Sequence, residues 1–339
     1  MSSSKKLAPK VSICIPTFNR CTKVYGLVNN ILNYVGPELE VVVLDNGSTD
    51  ETKDLLNKIN DDRFSFIQNE ENIGGEINIV KVISLASGEF SLLCLDKDYL
   101  SYESIAVLIE RIKQDSDVVF GHFSLNINTE SEDIIYDKGF TAVMNMAYSS
   151  SHPTGMFFRT EQYINLPIVK SILKERKRFA FYPDLINGEM AMTGKARLIN
   201  VPAFYTESEK EASIIASNTY TSNNAYFTPA KRLIEFDIYL ENLLELSLTK
   251  SQLLKLITKI YRQQLIMSTF IYKKMMANDA VCAHHRIAKQ NVSLFEIWKF
   301  SFVFSSRFSK KDIPITFFQK KIIVWKGFVI ILAKSLLKK

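Results

Sequence analysis

The stretch Phe90-Ser91-Leu92-Leu93-Cys94-Leu95-Asp96-Lys97-Asp98 decides the fold class of this 339-residue chain. Its first six residues are mostly apolar and predict a buried β-strand. The two carboxylates follow directly after this strand. Side chains alternate along a strand, so Asp96 and Asp98 are expected to project to the same side. Two like charges held this close favour a divalent cation between them. Mg2+ and Mn2+ are the expected ions, because both prefer oxygen ligands.

Strand and helix signals alternate on both sides of this stretch. Short apolar runs predict further strands at residues 11–16, 40–45, 64–67 and 118–120. Apolar residues spaced three or four apart predict helices around residues 24–32, 51–59, 76–86 and 102–113. This order predicts right-handed βαβ crossovers and an α/β fold, with a mostly parallel sheet flanked by helices.

Ligands of such sheets bind outside the carboxyl ends of the strands. Three strand ends of this chain carry polar or acidic residues, in the segments Pro16-Thr17-Phe18-Asn19-Arg20, Asp45-Asn46-Gly47-Ser48 and Asp96-Lys97-Asp98. The sequence therefore predicts one polar edge of the sheet as the ligand site.

The pattern loosens after Gly121, and from about Pro229 it becomes almost wholly helical. Between them, the sequence predicts an irregular stretch at 123–137, a loop at 149–155, a short strand at 156–158, helices through 168–173 and 184–192, and a last strand at 197–201. We therefore expect an N-terminal tail at 1–10, an α/β domain at 11–205 and a mainly helical region at 206–339.

Charge is distributed unevenly along the chain. Its net charge is +6, but residues 231–339 carry 20 Lys and Arg against 7 Asp and Glu, a net of +13. The four cysteines show no zinc-site spacing, and the N-terminus shows no secretory signal, so we expect a cytoplasmic protein. No apolar stretch reaches the roughly 20 residues that a membrane-spanning helix needs.

The motifs of the predicted edge resemble those of a known family. The segments 16–20, 43–50, 72–75 and 86–98 look like the ordered signature of glycosyltransferase family 2, closely over residues 10–120 and loosely over 150–205. The resemblance implies a GT-A type, Rossmann-like fold that uses a nucleotide-diphosphate sugar. It also implies a nucleotide-sugar half at about 11–120 and an acceptor half at about 121–205.

The resemblance assigns roles to residues of this edge. Asp45 would accept a hydrogen bond from the base, Thr17 would contact base and ribose, Asp98 would ligate Mn2+ or Mg2+, and Asp96 would hold ribose or metal. The other residues that it places at the donor are Pro16, Asn19, Arg20, Asn72, Gly75 and Asn78. In place of the Arg that many members carry before this Asn, the chain has Ile77. The diphosphate charge would then fall to the metal, to Arg20 or to Lys97.

Sugar transfer needs a base on the far side of the anomeric carbon. Family members supply an acid from a helix start, and Asp184 in Tyr182-Pro183-Asp184-Leu185 is the candidate, with Glu189 as its rival. A helix N-cap without a catalytic task would also explain Asp184. As the base, Asp184 predicts inversion of the anomeric configuration. His152 either contacts an acceptor or is a solvated loop residue, and His284 and His285 suggest no chemistry.

Aromatic and aliphatic residues are mixed with basic residues within 298–311 and 317–339. This mixture suits an anionic membrane surface, while a helix packed on the domain or a homo-oligomer contact explains it about as well. No motif for binding nucleic acid accompanies the charge.

Taken together, the sequence predicts an inverting, metal-assisted glycosyltransferase with a UDP-sugar as the favoured donor. The expected acceptor is a carbohydrate or a lipid-linked saccharide of bacterial capsule or lipopolysaccharide synthesis, at the inner face of the cell membrane. The alternative is a non-catalytic, membrane-attached assembly protein that retains the fold. A nicotinamide dehydrogenase is excluded, because Thr17-Phe18-Asn19-Arg20 stands where a Gly-x-Gly-x-x-Gly turn would be required.

Overall fold

A computed structural model describes residues 10–36, 38–100, 102–124, 132–149, 152–177, 179–201, 204–205, 227–285 and 287–336. The chain divides into two compact units, Met1–Glu207 and Ser208–Lys339. Each unit is described by itself below.

The first unit alternates strands and helices. Its strands are β1 (Val11–Thr17), β2 (Leu39–Asp45), β3 (Phe64–Gln68), β4 (Phe90–Leu93), β5 (Tyr99–Leu100), β6 (Val118–Phe123), β7 (Ile134–Tyr136), β8 (Met156–Arg159), β9 (Lys195–Ile199) and β10 (Phe204–Tyr205). Its helices are α1 (Cys21–Leu32), α2 (Thr52–Leu56), α3 (Gly75–Ser84), α4 (Tyr102–Gln114), α5 (Phe140–Met146), α6 (Thr160–Asn165), α7 (Pro167–Glu175) and α8 (Tyr182–Ala191).

Eight of these strands form one sheet, in the order β3-β2-β1-β4-β8-β6-β9-β7. The strands β3, β2, β1 and β4 are parallel, whereas β8 runs antiparallel to both of its neighbours, β4 and β6. The predicted α/β fold with a mostly parallel sheet is confirmed. Because β8 is reversed, its amino end lies at the same edge of the sheet as the carboxyl end of β4.

The core of this unit lies on both faces of the parallel strands. All seven residues of β1 are buried, since helices cover a parallel sheet from both sides. Helix α1 turns one apolar stripe, Val24, Leu27, Val28 and Ile31, toward this core. Each such buried side chain contributes about 1.5–3 kcal/mol of transfer free energy.

The sequence missed four elements in the second half of this unit: β7, α5, α6 and β10. Strand β7 interrupts the stretch that was predicted to be irregular, and α5 follows it. Part of that stretch, residues 125–131, lies outside the described residues. The apolar residues of α5 that are buried, Ala142, Val143 and Met146, are too few for a clear helical period.

The second unit is helical, as expected. Its helices are α9 (Pro229–Glu245), α10 (Lys250–Ile266), α11 (Tyr272–Met276), α12 (Asp279–His284), α13 (Leu294–Lys310) and α14 (Phe317–Leu336), with a π-helical turn at Met267–Ile271 between α10 and α11. Capping boxes start α10 and α13, in which Thr249 and Ser293 each accept from the backbone N–H three residues later. An aromatic cluster of Phe236, Tyr261, Phe304 and Phe308 forms its core.

We predict that Gly121→Ala destabilises the first unit. A Cβ at this position in β6 would lie 2.1 Å from the carbonyl oxygen of Arg197 and 2.4 Å from Cζ of Phe157, so the neighbouring strand must move. We expect the free energy of unfolding to fall by about 1–3 kcal/mol. Denaturant titration followed by circular dichroism measures it.

The matched control is Gly26→Ala on the exposed side of α1, where a Cβ meets no atom within 4 Å. This change should stabilise the protein by up to about 1 kcal/mol, because Ala favours a helix over Gly. Equal stability of the two variants would contradict the packing around Gly121.

Candidate active site

A row of hydrogen-bonded polar residues runs along the edge where the parallel strands end. Asp45, the last residue of β2, is fully buried. Its carboxylate accepts hydrogen bonds from the backbone N–H of Ser48 at 3.1 and 3.2 Å, from the Ser48 hydroxyl, and from the side-chain amide of Gln68 at 2.8 Å. Asp45 is therefore held by its own turn and by the end of β3.

The row continues at the end of β1. Thr17 is in register with Asp45, and its carbonyl oxygen accepts from the backbone N–H of Asn46 at 2.9 Å. The Thr17 hydroxyl donates to Oδ2 of Asp96 at 2.8 Å, and Arg20 donates to Oδ1 of Asp96 at 2.5 Å. Both carboxylate oxygens of Asp96 are thus engaged by the protein.

Asp98 differs from Asp96 in having one oxygen without a partner. Its Oδ2 accepts from the hydroxyl of Thr154 at 2.5 Å, and the same hydroxyl accepts from the backbone N–H of Leu95 at 3.1 Å. Its Oδ1 is buried and accepts no hydrogen bond from any residue that the structure describes, and the residue as a whole is only 1% exposed. A buried carboxylate oxygen is costly to leave unsatisfied, which sets this atom apart from the other carboxylate oxygens of the row.

Four asparagine side chains connect the ends of β2 and β3 to the start of α3. They are Asn46, Asn69, Asn72 and Asn78, which are joined by amide hydrogen bonds of 2.9–3.2 Å. Asn78 also donates to the carbonyl oxygen of Leu44 at 3.0 Å, so its side-chain amide is bonded to buried groups of the protein. Gly75 begins α3 with open space beside its Cα, because a Cβ there would meet no atom within 4 Å.

The turn between β1 and α1 is fastened to the turn after β2. Asn19 has a positive φ of 51°, its backbone N–H donates to the Ser48 hydroxyl at 2.7 Å, and its Oδ1 accepts from the backbone N–H of Thr49 at 2.8 Å. These contacts hold Arg20 next to Asp96. Pro16 lies within β1 and is buried. Contact of either Pro16 or Asn19 with a donor stays a prediction.

Asp184 lies in the first turn of α8 and is 2% exposed. Its carboxylate accepts from the backbone N–H of Ser149 at 3.2 Å. The N-cap of α8 is Phe181, so the interpretation of Asp184 as a helix N-cap is wrong. Ser149 and Thr154 belong to one loop, which limits the distance between their Cα atoms to about 18 Å. The two ends of this loop bond the side chains of Asp184 and Asp98.

Glu189, the rival base, lies on the same helix but has a different partner. Its Oε2 accepts from the backbone N–H of Ile168 in α7 at 3.2 Å. Burial raises the pKa of this carboxyl, and the hydrogen bond from Ile168 partly offsets the effect. Glu189 is thus directed to the packing of α7 on α8.

His152 lies closer to the polar row than the sequence suggested. Its Nε2 is 3.8 Å from Oδ2 of Asp98, and its Nδ1 accepts from the backbone N–H of Thr154 at 3.3 Å. Burial lowers the pKa of His152 against the opposing effect of Asp98. Behind it, burial lowers the pKa of His122 to about 4, and its Nε2 is 3.1 Å from the carbonyl oxygen of His152. Among the residues described, no three His, Cys, Asp or Glu side chains converge on a metal position.

We predict that Glu189→Gln stabilises the protein relative to the unchanged chain, and that this gain in stability is larger at neutral pH than at acid pH. The pKa of Glu189 is raised from 4.5 in the folded state, so its ionised form is penalised by burial. Below pH 4.5 the carboxyl is neutral in both states and the variant gains nothing. The stabilising effect of the substitution should grow as the pH rises through the folded-state pKa.

Thermal denaturation between pH 4 and pH 8 measures this difference. The control is Glu70→Gln, which removes a carboxylate at an exposed loop position. A gain from Glu189→Gln that is largest at pH 4 would contradict the burial of this carboxyl.

Comparison with known proteins agrees with this geometry. The family model of glycosyl transferase family 2 matches residues 12–164, a range that includes the whole polar row. The chain is 31% identical over 117 residues to the GalNAc(5)-diNAcBac-PP-undecaprenol beta-1,3-glucosyltransferase of Campylobacter jejuni, which covers 34% of this chain and 38% of that protein. It is also 31% identical over 113 residues to the abequosyltransferase RfbV of Salmonella typhimurium, covering 32% and 34%. The matched stretch thus spans little more than a third of these relatives.

Among solved structures, the chain is similar to TarS of S. aureus, residues 1–349. The superposition covers 97% of this chain and 92% of that one, with a TM-score of 0.59 and 16% sequence identity. This likeness concerns the fold alone and agrees with the expected GT-A type architecture. The motifs, the edge of the sheet at which they meet and the family match agree with one another: residues 12–164 of this chain match glycosyl transferase family 2.

Proposed function

We propose that this chain transfers a sugar from a nucleotide-diphosphate donor to a carbohydrate or lipid-linked acceptor. The observation that supports this most strongly is the row of polar residues at the sheet edge, from Gln68 and Asp45 through Thr17 and Asp96 to Asp98. A nucleotide sugar presents a base, a ribose and a diphosphate in a line. A line of hydrogen-bonding groups across neighbouring strand ends matches that order.

The base and ribose belong at the Asp45 and Thr17 end of the row. Asp45 is already fixed by Ser48 and Gln68, so its carboxylate is preorganised to accept a further hydrogen bond from a base N–H. Arg20, which is paired with Asp96, supplies a positive charge at this edge, in a chain that has Ile77 and not an Arg before Asn78. UDP is the first nucleotide to test, because the TarS structure similar in fold was solved with UDP-GlcNAc.

The diphosphate belongs near Asp98. A cation there would give Oδ1 of Asp98, which is buried without a hydrogen-bond partner, the contact that it lacks, and a carboxylate oxygen suits Mg2+ or Mn2+. Bound at this position, a divalent ion would supply charge neutralisation for the diphosphate leaving group. Asp96 keeps its two bonds to Thr17 and Arg20 and serves to position that arginine.

Asp184 is the proposed base. It would accept the proton of the acceptor hydroxyl while that oxygen forms the new glycosidic bond and the nucleotide diphosphate leaves with the electron pair of the broken bond. This single displacement inverts the anomeric configuration. The bond from Ser149 fixes Asp184 at one end of the loop whose other end bonds Asp98, which favours Asp184 over Glu189.

The acceptor class is proposed from the relatives. The Campylobacter jejuni protein is named for an acceptor linked to undecaprenol by a diphosphate, and the Salmonella typhimurium protein for abequosyl transfer. We infer a role in bacterial surface polysaccharide synthesis, on a lipid-linked saccharide at the inner face of the membrane. Because these relatives are named for two different sugars, a screen must identify the donor sugar.

We predict opposite defects for Asp98→Asn and Asp184→Asn. Asp98→Asn should abolish the gain in UDP affinity that Mn2+ provides, because the ligand oxygen is lost. Asp184→Asn should bind UDP within about twofold of the unchanged chain and lose at least about 100-fold in transfer rate, the usual contribution of a general base. Calorimetry measures binding, and UDP release from UDP-sugars with a polyprenyl-diphosphate-linked saccharide measures transfer.

Glu189→Gln is the matched control and should retain transfer within a few-fold. Transfer lost in Glu189→Gln and kept in Asp184→Asn would assign the base to Glu189 instead. Tight UDP binding without turnover of any donor would support the non-catalytic assembly protein.

A further inference from the structure

Helix α14 is apolar on two opposite sides. One side is buried, with Ile323 3% exposed and Ile331 fully buried. Gly327 lies between them and lets the helix approach α10 closely, since a Cβ there would be 2.9 Å from side-chain atoms of Tyr261 and Leu265. This side accounts for the packing of α14 within its unit.

The opposite side of α14 is an exposed apolar stripe. Its members recur every three or four residues, so they follow one line along the helix: Phe318 (71% exposed), Ile322 (37%), Trp325 (66%), Val329 (45%), Leu332 (50%) and Leu336 (63%). The stripe runs about 27 Å along the axis. A continuous apolar surface of this length on a folded protein marks an interaction site.

Lysines border the stripe on both sides. Viewed down the helix, Lys321 lies about 40° to one side of Trp325 and Lys326 about 100° to the other. The helix carries four lysines and no acidic residue, within a region of net charge +13. The surface is therefore apolar along its centre and positive at its margins.

The neighbouring helix α13 extends this surface with aromatic side chains. Phe302 is 61% exposed, and its ring centroid is 5.0 Å from that of Phe328 on α14. Trp298 stacks on the same Phe328 ring at 6.0 Å with an interplanar angle of 13°. The aromatic contacts hold the two helices side by side, so they act as one platform.

We propose that this platform, the stripe of α14 with its bordering lysines, binds the surface of an anionic lipid bilayer. Aromatic and aliphatic side chains of such a stripe enter the boundary between headgroups and acyl chains, while lysine stems extend to the anionic headgroups. Within the part of the chain that is described, no helix has both the length and the apolar content to cross a bilayer. The expected geometry is a helix lying along the surface.

Charge argues against a second copy of this chain as the occupant. A two-fold contact through the stripe would bring Lys321 and Lys326 of both copies together, with no acidic residue on α14 to pair with them. Anionic phospholipid satisfies both features of the platform at once.

The chain has two tryptophans, which makes the test direct. In a full-length Trp298→Phe variant, Trp325 is the sole tryptophan, so excitation selective for tryptophan reports on it alone. We expect its emission to shift to shorter wavelength with vesicles of phosphatidylglycerol and phosphatidylcholine, and brominated acyl chains to quench it. Vesicles of phosphatidylcholine alone should bind at least about tenfold less, because the lysines then lack anionic partners. No nucleotide is added, so the result is independent of the donor site.

Flotation of full-length variants assigns the surface. Trp325→Ser with Val329→Ser should lower the vesicle-bound fraction by about tenfold, and Lys321→Glu with Lys326→Glu by at least as much. The controls are Val35→Ser, at a site 95% exposed in the first unit, and Lys53→Glu on α2, which should leave binding unchanged. Circular dichroism checks that each variant is folded.

Vesicle binding that survives both double substitutions would overturn the proposal. Equal binding to neutral and anionic vesicles would overturn it too. A third contrary result is a chain that does not bind vesicles and instead forms a concentration-dependent dimer, which Trp325→Ser dissociates.

Discussion

The reversal of β8 within an otherwise parallel half-sheet is the constraint on which the candidate active site depends. Four parallel strands end at one edge, and β8 begins there because it runs the other way. The residues that precede β8 therefore lie beside the carboxylates, and not at the opposite edge of the sheet. Thr154 bonds Asp98, and Ser149, earlier in the same loop, bonds Asp184. A parallel β8 would place this loop at the wrong end of the sheet and separate the two acids.

The three acids of the polar row are distinguished by their hydrogen bonds. Both carboxylate oxygens of Asp45 and of Asp96 accept hydrogen bonds from protein donors, which fixes the position of these side chains. Asp98 keeps one buried oxygen without a donor. Desolvating a carboxylate oxygen without compensation is unfavourable, so the folded protein carries a local penalty that a bound cation would relieve. On the proposed function, this difference lets one edge of the sheet be rigid and still offer an unpaired oxygen to a cation.

Much of this site could be predicted from the sequence, because strand ends and their polar residues are local features. Thr17, Asp45, Asp96 and Asp98 meet at one edge, as the alternation of strands and helices indicated. Thr154 was missed, since the three-residue apolar run after it carries no sign of strand direction, which only the tertiary sheet order sets. The asparagine network was missed because amide pairing links residues far apart in sequence. Helix α14 is apolar on two sides, so the sequence does not show which of them is buried. The structure does, because Gly327 packs against Tyr261.

The central claim is that the row from Asp45 to Asp98 holds one nucleotide diphosphate with its cation. A crystal structure of the chain with UDP and Mn2+, with anomalous scattering recorded at the manganese edge, tests it most directly. The account predicts a manganese peak coordinated by Oδ1 of Asp98 and a uracil ring hydrogen-bonded to Asp45. A manganese peak away from Asp98, or a nucleotide bound elsewhere than this edge of the sheet, would contradict it.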